Sequence, residues 1–470
     1  MEKLLKKFVG FSVGPMIAAV ISFITVPIIT YFVSPEEFGK ASMFTVVQTL
    51  VASFIFLGMD QSYTREYHYV ENKIKLFQNA VMIPLMVSSI FIFIGVIFRS
   101  QISFFLFENS EYHFISILFG FMLVFMILER FILLSIRMEE RALEYSFYSV
   151  VVKVVVFIVT LLMLYYGERN FLTIVYSTIF GQIVGDILLI IVFRKLFKFN
   201  FSYFDRTLMH KMFVFGIPII IAASLYSFLN AIGRFFLRGN STFTEIGIYT
   251  AALKVAGILT LVQTMFTSFW VPLAYRWHKE EKGIKYYSYM SNLILFIMTL
   301  VFFFVVFFKK YIILILAPEY RQAAFATALL SLAPILYTVS ETTTLGIVFS
   351  GKSQYNALTS FISIFPAIFL NYLLVPNYGT VGASIATAVS YVFFYFFRTY
   401  FSKKCGFNIN TTMQNPVILL LLTTSIINAF DVPGILYYNI LLFIVSILLQ
   451  YGVINSTMDI VKNSREWDFS

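Results

Sequence analysis

The sequence is poor in the residue types that build disulfide frameworks and metal centres. It contains one cysteine, Cys405, and four histidines in 470 residues. A single cysteine excludes any intramolecular disulfide bond, and the histidines do not occur in a metal-ligand spacing such as HExxH. We therefore expect no metal site and no other cofactor.

Charged residues are also scarce. They make up 12% of the chain, whereas soluble domains contain about 25%. Apolar residues make up 59%, and the mean hydropathy is +0.85. Apolar runs long enough to cross about 30 Å of hydrocarbon recur from end to end. They predict an all-α polytopic membrane protein with about fourteen transmembrane helices, near residues 8–33, 41–59, 76–98, 113–135, 146–166, 171–193, 212–237, 245–270, 288–308, 322–348, 355–375, 380–400, 412–430 and 434–454.

The connections between the predicted spans leave no room for a catalytic domain outside the membrane. Each connection contains under about twenty residues, and those at residues 60–75 and 194–211 are among the longest. The chain also lacks a GxxxxGK[ST] loop, the phosphate-binding motif of many nucleotide-driven proteins. We expect a protein that is not an enzyme and that draws any energy it needs from a source other than nucleotide hydrolysis.

The distribution of the basic residues predicts an orientation. The net charge is +10, and most of the 34 lysines and arginines fall in segments that share one side of the membrane when the N-terminus is cytoplasmic. Positive residues favour the cytoplasmic side, so both termini are expected there. Topology then explains the basic charge, and no nucleic-acid partner is expected. The charged start, residues 1–7, continues into an apolar run without a cleavage site and is interpreted as an uncleaved first span.

The two halves of the chain contain related turns. Pro35 to Gly39, after the first predicted span, resembles Phe243 to Gly247, after the seventh, at an offset of 208 residues. Gly167 and Gly379 lie at equivalent places at an offset of 212 residues. These matches indicate a parallel internal repeat of six helices. The predicted division is an N-terminal lobe at 1–211, a C-terminal lobe at 212–404, and two additional helices with a cytoplasmic tail at 405–470.

Two segments carry a resemblance to a known family. Residues 27–39, PIITYFVSPEEFG, and 376–387, PNYGTVGASIAT, resemble the Wzx-type polysaccharide flippases of the multidrug/oligosaccharidyl-lipid/polysaccharide exporter superfamily. The resemblance implies a MATE-like, V-shaped pair of helical bundles that opens alternately to each side of the bacterial inner membrane. It also implies transport of undecaprenyl-pyrophosphate-linked oligosaccharide for O-antigen or other surface polysaccharide, driven by an ion gradient. Polysaccharide polymerase and chain-length regulator proteins are partners that it suggests.

Seven charged residues within the predicted spans are candidates for function, because a charge in a span is costly unless it faces a cavity or a partner. The candidates for binding the pyrophosphate are the bases Arg130, Lys153, Arg234 and Lys254. The candidates for ion coupling are the acids Glu129, Asp186 and Glu341.

Each of these residues also has a structural explanation. Glu129 and Lys153 are candidates for an ion pair between neighbouring helices, and Arg234 lies one turn before Arg238, where both side chains can reach the outer interface. Glu129 and Glu341 are separated by the same 212 residues as the repeated glycines and therefore occupy equivalent depths. A buried carboxylate at such a depth suits a proton or a sodium ion.

Two other functions compete with the flippase. A multidrug or small-molecule antiporter has the same fold, and an O-antigen polymerase is another polytopic protein of the same pathways. Polymerases carry a large external loop with functional arginines, whereas the external connections here are short, and the one at residues 309–321 is mostly apolar.

Overall fold

The structure is a computed structural model that describes residues 2–198, 200–430 and 432–462. Every regular element within these residues is helical, and no β-strand occurs in them. The α-helices are α1 (Glu2–Phe32), α2 (Pro35–Ile55), α3 (Met59–Glu66), α4 (Lys73–Ile97), α5 (Arg99–Phe107), α6 (Phe114–Met138), α7 (Ala142–Tyr166), α8 (Phe171–Val192), α9 (Arg206–Asn240), α10 (Phe243–Ala256), α11 (Leu259–Lys279), α12 (Ile284–Ile312), α13 (Ala323–Thr343), α14 (Leu345–Phe349), α15 (Gln354–Lys404), α16 (Gln414–Ile427), α17 (Ile435–Leu449) and α18 (Tyr451–Lys462).

Across the described ranges, eleven helices are long and apolar enough to cross a membrane, or twelve if α17 and α18, which meet at 49°, form one bent span. One of the eleven, α15, contains 51 residues and is interrupted at Gly379, where the backbone leaves helical geometry at φ 46° and ψ −123°. A helix of that length is far longer than one crossing requires. The two parts of α15 match predicted spans eleven and twelve, and the 14-residue apolar helix α16 matches span thirteen. The all-α polytopic fold is confirmed.

The predicted boundaries differ from the structure where polar residues form helices of their own. The connection at 60–75 contains α3, which buries Tyr63 and Glu66, and the connection after α4 contains α5. The predicted span at 245–270 lies within one candidate membrane span, Phe243–Lys279, in which the helix is interrupted at Gly257 between α10 and α11.

The helices form two compact units, Met1–Ala231 and Ile232–Ser470. The division between them falls within α9, whereas the lobe boundaries at residues 211 and 404 stay predictions from the sequence. In the first unit, α7 packs between α1 and α8, and α6 packs against α4 and α8. In the second, α13 lies against α10, α11, α12 and α15.

A contact that occurs once in each unit supports the internal repeat. Ser34 caps the start of α2, and the carboxylate of Glu37 accepts the backbone N–H of Phe171 at the start of α8, at 2.8 Å. Thr242 caps α10 in the same way, and the carboxylate of Glu245 accepts the backbone N–H of Thr380, just after Gly379, at 2.6 Å. The first turn of a helix has unpaired N–H groups, which a carboxylate satisfies. The two turns noticed in the sequence therefore perform the same structural task.

Candidate functional site

Two acidic side chains meet in the interior of the first unit. The amide nitrogen Nε2 of Gln182 donates one hydrogen bond to Oε2 of Glu129 and one to Oδ1 of Asp186, both at 2.9 Å. Because both oxygens bind the same nitrogen, they cannot lie further apart than twice that distance. Asp186 is fully buried, and its second oxygen, Oδ2, has no hydrogen-bond partner among the described residues.

The close packing of α8 explains why these groups are buried. Gly181 and Gly185 face α7, and a Cβ atom at either position would lie only 2.8 Å and 3.2 Å from the nearest atoms of Val156 and Val152. The absence of side chains lets α7 and α8 approach closely, as small residues do in membrane helices. Asp186, one residue after Gly185, is thereby enclosed.

The corresponding acid of the second unit has a basic partner. Oε1 of Glu341 on α13 lies 2.8 Å from a guanidinium nitrogen of Arg398 on α15, and both side chains are 9% exposed. Arg398 also donates to Oγ of Ser340 at 2.8 Å, and its guanidinium lies over the rings of Tyr337 and Phe394. Glu341 is one of the candidate carboxylates for ion coupling, and Arg398 already supplies its counter-charge.

The two arrangements occupy equivalent positions of the repeat. The number of residues between Asp186 and Arg398 is the same as that between Glu129 and Glu341. The same two positions therefore hold an acid and a base in the second unit, and two acids in the first. The first unit has no guanidinium group at the position of Arg398; the bases near its acid pair, Lys153 and Arg130, belong to α7 and α6.

Two candidate bases of the first unit have different surroundings. Arg130 forms an ion pair with Asp60 of α3 at 2.7 Å, although its side chain remains 43% exposed. Lys153 is exposed and makes no salt bridge with a described acid, but its charge lies close enough to attract the carboxylates of Glu129 and Asp186.

Lys153 does not point toward the lipid-facing side of its helix. The exposed apolar residues of α7 form one stripe that includes Leu143, Phe147, Ile158 and Leu162. At about 100° per residue, Lys153 lies roughly 130° from the centre of that stripe. The neighbouring positions on its own side of α7, Ser146 and Thr160, are buried, so Lys153 is an exposed charge on an otherwise packed side of the helix.

In the second unit, Arg234 is a largely enclosed base. Its Nε atom is buried and has no hydrogen-bond partner among the described residues, and no described acid lies within ion-pair distance. The neighbouring Gly233 lies against the buried side chain of Tyr249, whose hydroxyl group bonds Thr387 at 3.0 Å. Lys254 is exposed in the last turn of α10, just before the break at Gly257.

Two contributors to these arrangements were absent from the sequence-based candidates. Gln182 precedes Asp186 by one helical turn, a spacing that places both on one face and was a usable signal. Arg398 lies six residues before the end of α15, where a base is expected from topology alone. The sequence signal for its pairing with Glu341 is the repeat, which places Arg398 at the position equivalent to Asp186.

The fold defines the class of protein. The structure of the lipid II flippase MurJ in an inward closed conformation is similar to this chain with a TM-score of 0.70, at 14% identity, over 95% of this chain and 99% of that one. An inward-facing multidrug resistance MATE family transporter of the MOP superfamily is similar with a TM-score of 0.63, at 12% identity, over 85% of this chain and 99% of that one. The chain thus has the fold of this class of membrane transporters.

The sequence identifies the family within that class. The family described as polysaccharide biosynthesis protein matches residues 4–278, and the chain belongs to it. The resemblance to polysaccharide flippases of the multidrug/oligosaccharidyl-lipid/polysaccharide exporter superfamily is confirmed.

Two curated proteins are also similar to the chain. The capsular polysaccharide biosynthesis protein CapF of Staphylococcus aureus is 24% identical over 202 residues, 41% of this chain and 50% of that protein. The chain therefore matches only half of the length of CapF. An uncharacterized membrane protein of Haemophilus influenzae is 24% identical over 303 residues, 62% of this chain and 71% of that protein.

Proposed function

We propose that this protein flips undecaprenyl-pyrophosphate-linked oligosaccharide repeat units across the bacterial inner membrane by ion-coupled alternating access, for the synthesis of O-antigen or another surface polysaccharide. The family and the fold support a transporter of lipid-linked substrates. The observation that carries the substrate class is Arg234, a base enclosed in a membrane helix without a neutralising acid among the described residues. Such a charge is costly in a membrane protein unless it serves an anion.

A pyrophosphate is a suitable anion for this arginine. The planar guanidinium group binds phosphate oxygens through two parallel hydrogen bonds, and such charge-assisted bonds are stronger than neutral ones. Lys254 of the same unit is a further candidate contact for the pyrophosphate, because it is exposed on a membrane helix. In the first unit, Lys153 and Arg130 stay candidates from the sequence, and Arg130 is the weaker of the two because Asp60 already pairs with it.

The test is complementation of a strain that lacks the gene. Arg234→Gln is expected to abolish surface polysaccharide and to leave lipid-linked repeat units accumulating at the cytoplasmic face, measured by mass spectrometry. Arg169→Gln is the control, because Arg169 is exposed in the connection between α7 and α8. Normal polysaccharide with Arg234→Gln at wild-type abundance would contradict the assignment.

The same experiment separates the competing functions. A strain that lacks the gene, keeps normal glycans and becomes sensitive to drugs would identify a multidrug antiporter. Single repeat units that still reach the outer surface without being polymerised would identify a polymerase.

We assign the coupling ion to the carboxyl pair of Glu129 and Asp186. In the second unit, Arg398 neutralises Glu341, the equivalent of Glu129. In the first unit, the position equivalent to Arg398 holds Asp186 instead. Two carboxylates at this separation in a buried site do not both remain charged at low cost, so a proton or a sodium ion takes the place of the guanidinium group. Lys153 and Arg130 are the nearby bases of α7 and α6.

In this proposal Glu341 is the weaker candidate for coupling, because a proton on its carboxylate would have to compete with Arg398. Asp186→Asn is therefore expected to remove the dependence of transport on the proton or sodium gradient. The double variant Glu341→Gln/Arg398→Gln is the matched control in the other unit, since it removes the charges without leaving one unpaired, and it is expected to keep that dependence. Loss of the gradient dependence in the double variant, with Asp186→Asn keeping it, would place the coupling site in the second unit.

A further inference from the structure

The connection between α8 and α9 combines basic and aromatic residues on one short segment. Residues 194–205, RKLFKFNFSYFD, contain two short 3-10 turns, Arg194–Phe197 and Phe201–Tyr203. Arg194, Lys195 and Lys198 are exposed, and none of them forms an ion pair with a described residue. The only acid of the segment is Asp205, which pairs with Lys75 of α4 at 2.8 Å. The exposed charge of this connector is therefore positive.

The backbone of the connector is fixed to α4 by two amide side chains. Gln78 donates to the carbonyl oxygen of Asn200 and accepts its N–H group, both at 3.0 Å. The buried Asn79 donates to the carbonyl oxygen of Tyr203 at 2.7 Å and accepts the N–H group of Asp205 at 2.9 Å. Because these bonds hold the connector at both ends of its second turn, its outward face is a fixed feature of the first unit.

Aromatic side chains of the connector point in two directions. Phe197 packs edge-on against Phe77 of α4, with ring centroids 5.5 Å apart. Phe201 is 99% exposed and Phe204 is 49% exposed. Phenylalanine gains more from leaving water than most side chains, so an apolar surrounding would stabilise the outward-facing Phe201.

The position of the connector limits that surrounding. It joins two membrane-spanning helices and so lies at a membrane surface. The hydrocarbon core would not accept Arg194, Lys195 and Lys198, and water alone would leave Phe201 exposed. The region between the headgroups and the acyl chains accepts both kinds of side chain.

We propose that the connector is an interfacial lipid-binding element, in which Phe201 and Phe204 enter the boundary of the acyl chains and Arg194, Lys195 and Lys198 bind the phosphate groups of anionic phospholipids. Charge complementarity selects the lipid, because anionic headgroups attract basic residues near the surface of the cytoplasmic leaflet, the side expected from the distribution of lysine and arginine. This proposal does not rest on the transported substrate.

The depth of Phe201 is tested by spin labelling of the full chain. Cys405→Ser gives a cysteine-free background, into which Phe201→Cys and, as a control, Lys352→Cys are introduced singly. In nanodiscs that contain phosphatidylglycerol, the label at 201 is expected to be relaxed more by oxygen, which partitions into lipid, than by a water-soluble nickel complex. The label at the exposed position 352 is expected to show the reverse. Equal profiles at the two positions would overturn the proposal.

The choice of lipid is tested by native mass spectrometry of the purified protein titrated with phosphatidylglycerol or phosphatidylcholine. Lys195→Ala/Lys198→Ala is expected to weaken phosphatidylglycerol binding about 30-fold, roughly fivefold for each charge near the surface, and to leave phosphatidylcholine binding unchanged. Lys279→Ala/Lys352→Ala removes two exposed bases elsewhere, one at the end of α11 and one between α14 and α15, and is expected to change neither affinity.

Unchanged phosphatidylglycerol binding by the connector variant would refute the lipid assignment. Loss of affinity for undecaprenyl pyrophosphate alone would also refute it, because these bases would then recognise the substrate and not a bulk lipid. Equal binding of phosphatidylglycerol and phosphatidylcholine by the wild-type chain would remove the role of charge.

Discussion

The ion pair between Glu341 and Arg398 gives the sharpest prediction about stability. Both side chains are 9% exposed, and the guanidinium group also bonds Ser340 and lies over the rings of Tyr337 and Phe394. Replacing one member of a buried pair leaves the other charge buried and unpaired, which costs about 3–5 kcal/mol. Arg398→Gln is expected to lower the free energy of unfolding by that amount.

A second variant distinguishes the loss of the pair from a general loss of packing. Glu341→Gln/Arg398→Gln leaves no charge behind, and neutral replacements of buried ion pairs are often tolerated. We expect it to be more stable than Arg398→Gln, with a coupling free energy of about 0.5–3 kcal/mol between the two positions. The free energies are measured by denaturant titration in detergent micelles, with Arg169→Gln as the surface control, expected within about 0.5 kcal/mol of the wild-type chain.

Two results would refute this reasoning. One is Arg398→Gln with the same stability as Arg169→Gln, since an unpaired buried carboxylate would then be harmless. The other is simple additivity of the single substitutions in the double variant, since residues in direct contact are expected to be coupled.

Two further predictions concern the ends of the helices. Gly379→Ala is expected to destabilise the protein by about 1–3 kcal/mol, because φ is 46° and the new Cβ would lie 2.6 Å from Oε2 of Glu245. The control is Gly351→Ala, since Gly351 has φ 69° and open space around it. Comparing the two variants in thermal unfolding separates the backbone strain from the steric contact. The hydrogen bond from Lys75 holds the pKa of Asp205 below its usual value, so this group stabilises the fold above about pH 4 and loses that effect as the pH falls through the lowered pKa. Asp205→Asn should therefore cost up to about 1 kcal/mol at pH 7 and progressively less in acid, as measured by unfolding at a series of pH values.

The arrangement of the spans was predictable because long apolar runs have few other uses. The polar parts were less predictable. Tyr63 and Glu66 belong to a short helix within a connection, and their burial depends on packing against helices distant in sequence. The length of an apolar run also does not reveal a break inside it, so the separation of α10 from α11 was missed.

The candidate site could be predicted only in its components. Glu129 and Asp186 were recognised as intramembrane acids, but their common hydrogen-bond donor, Gln182, is a neutral residue that no charge-based search selects. Arg398 was overlooked because bases are common near the cytoplasmic ends of spans. The internal repeat supplies the missing information, because it makes Asp186 and Arg398 equivalent positions, so that the charge at this position can be compared between the two units.

The most direct test of the account is translocation by the purified protein. Proteoliposomes are loaded with undecaprenyl-pyrophosphate-linked oligosaccharide, a proton or sodium gradient is imposed, and the fraction of oligosaccharide accessible to an external glycosidase is followed over time. The account predicts gradient-dependent translocation that is abolished by Arg234→Gln, and that proceeds without dependence on the gradient in Asp186→Asn. No translocation by the wild-type chain under either gradient, or equal rates for wild type and Arg234→Gln, would contradict it.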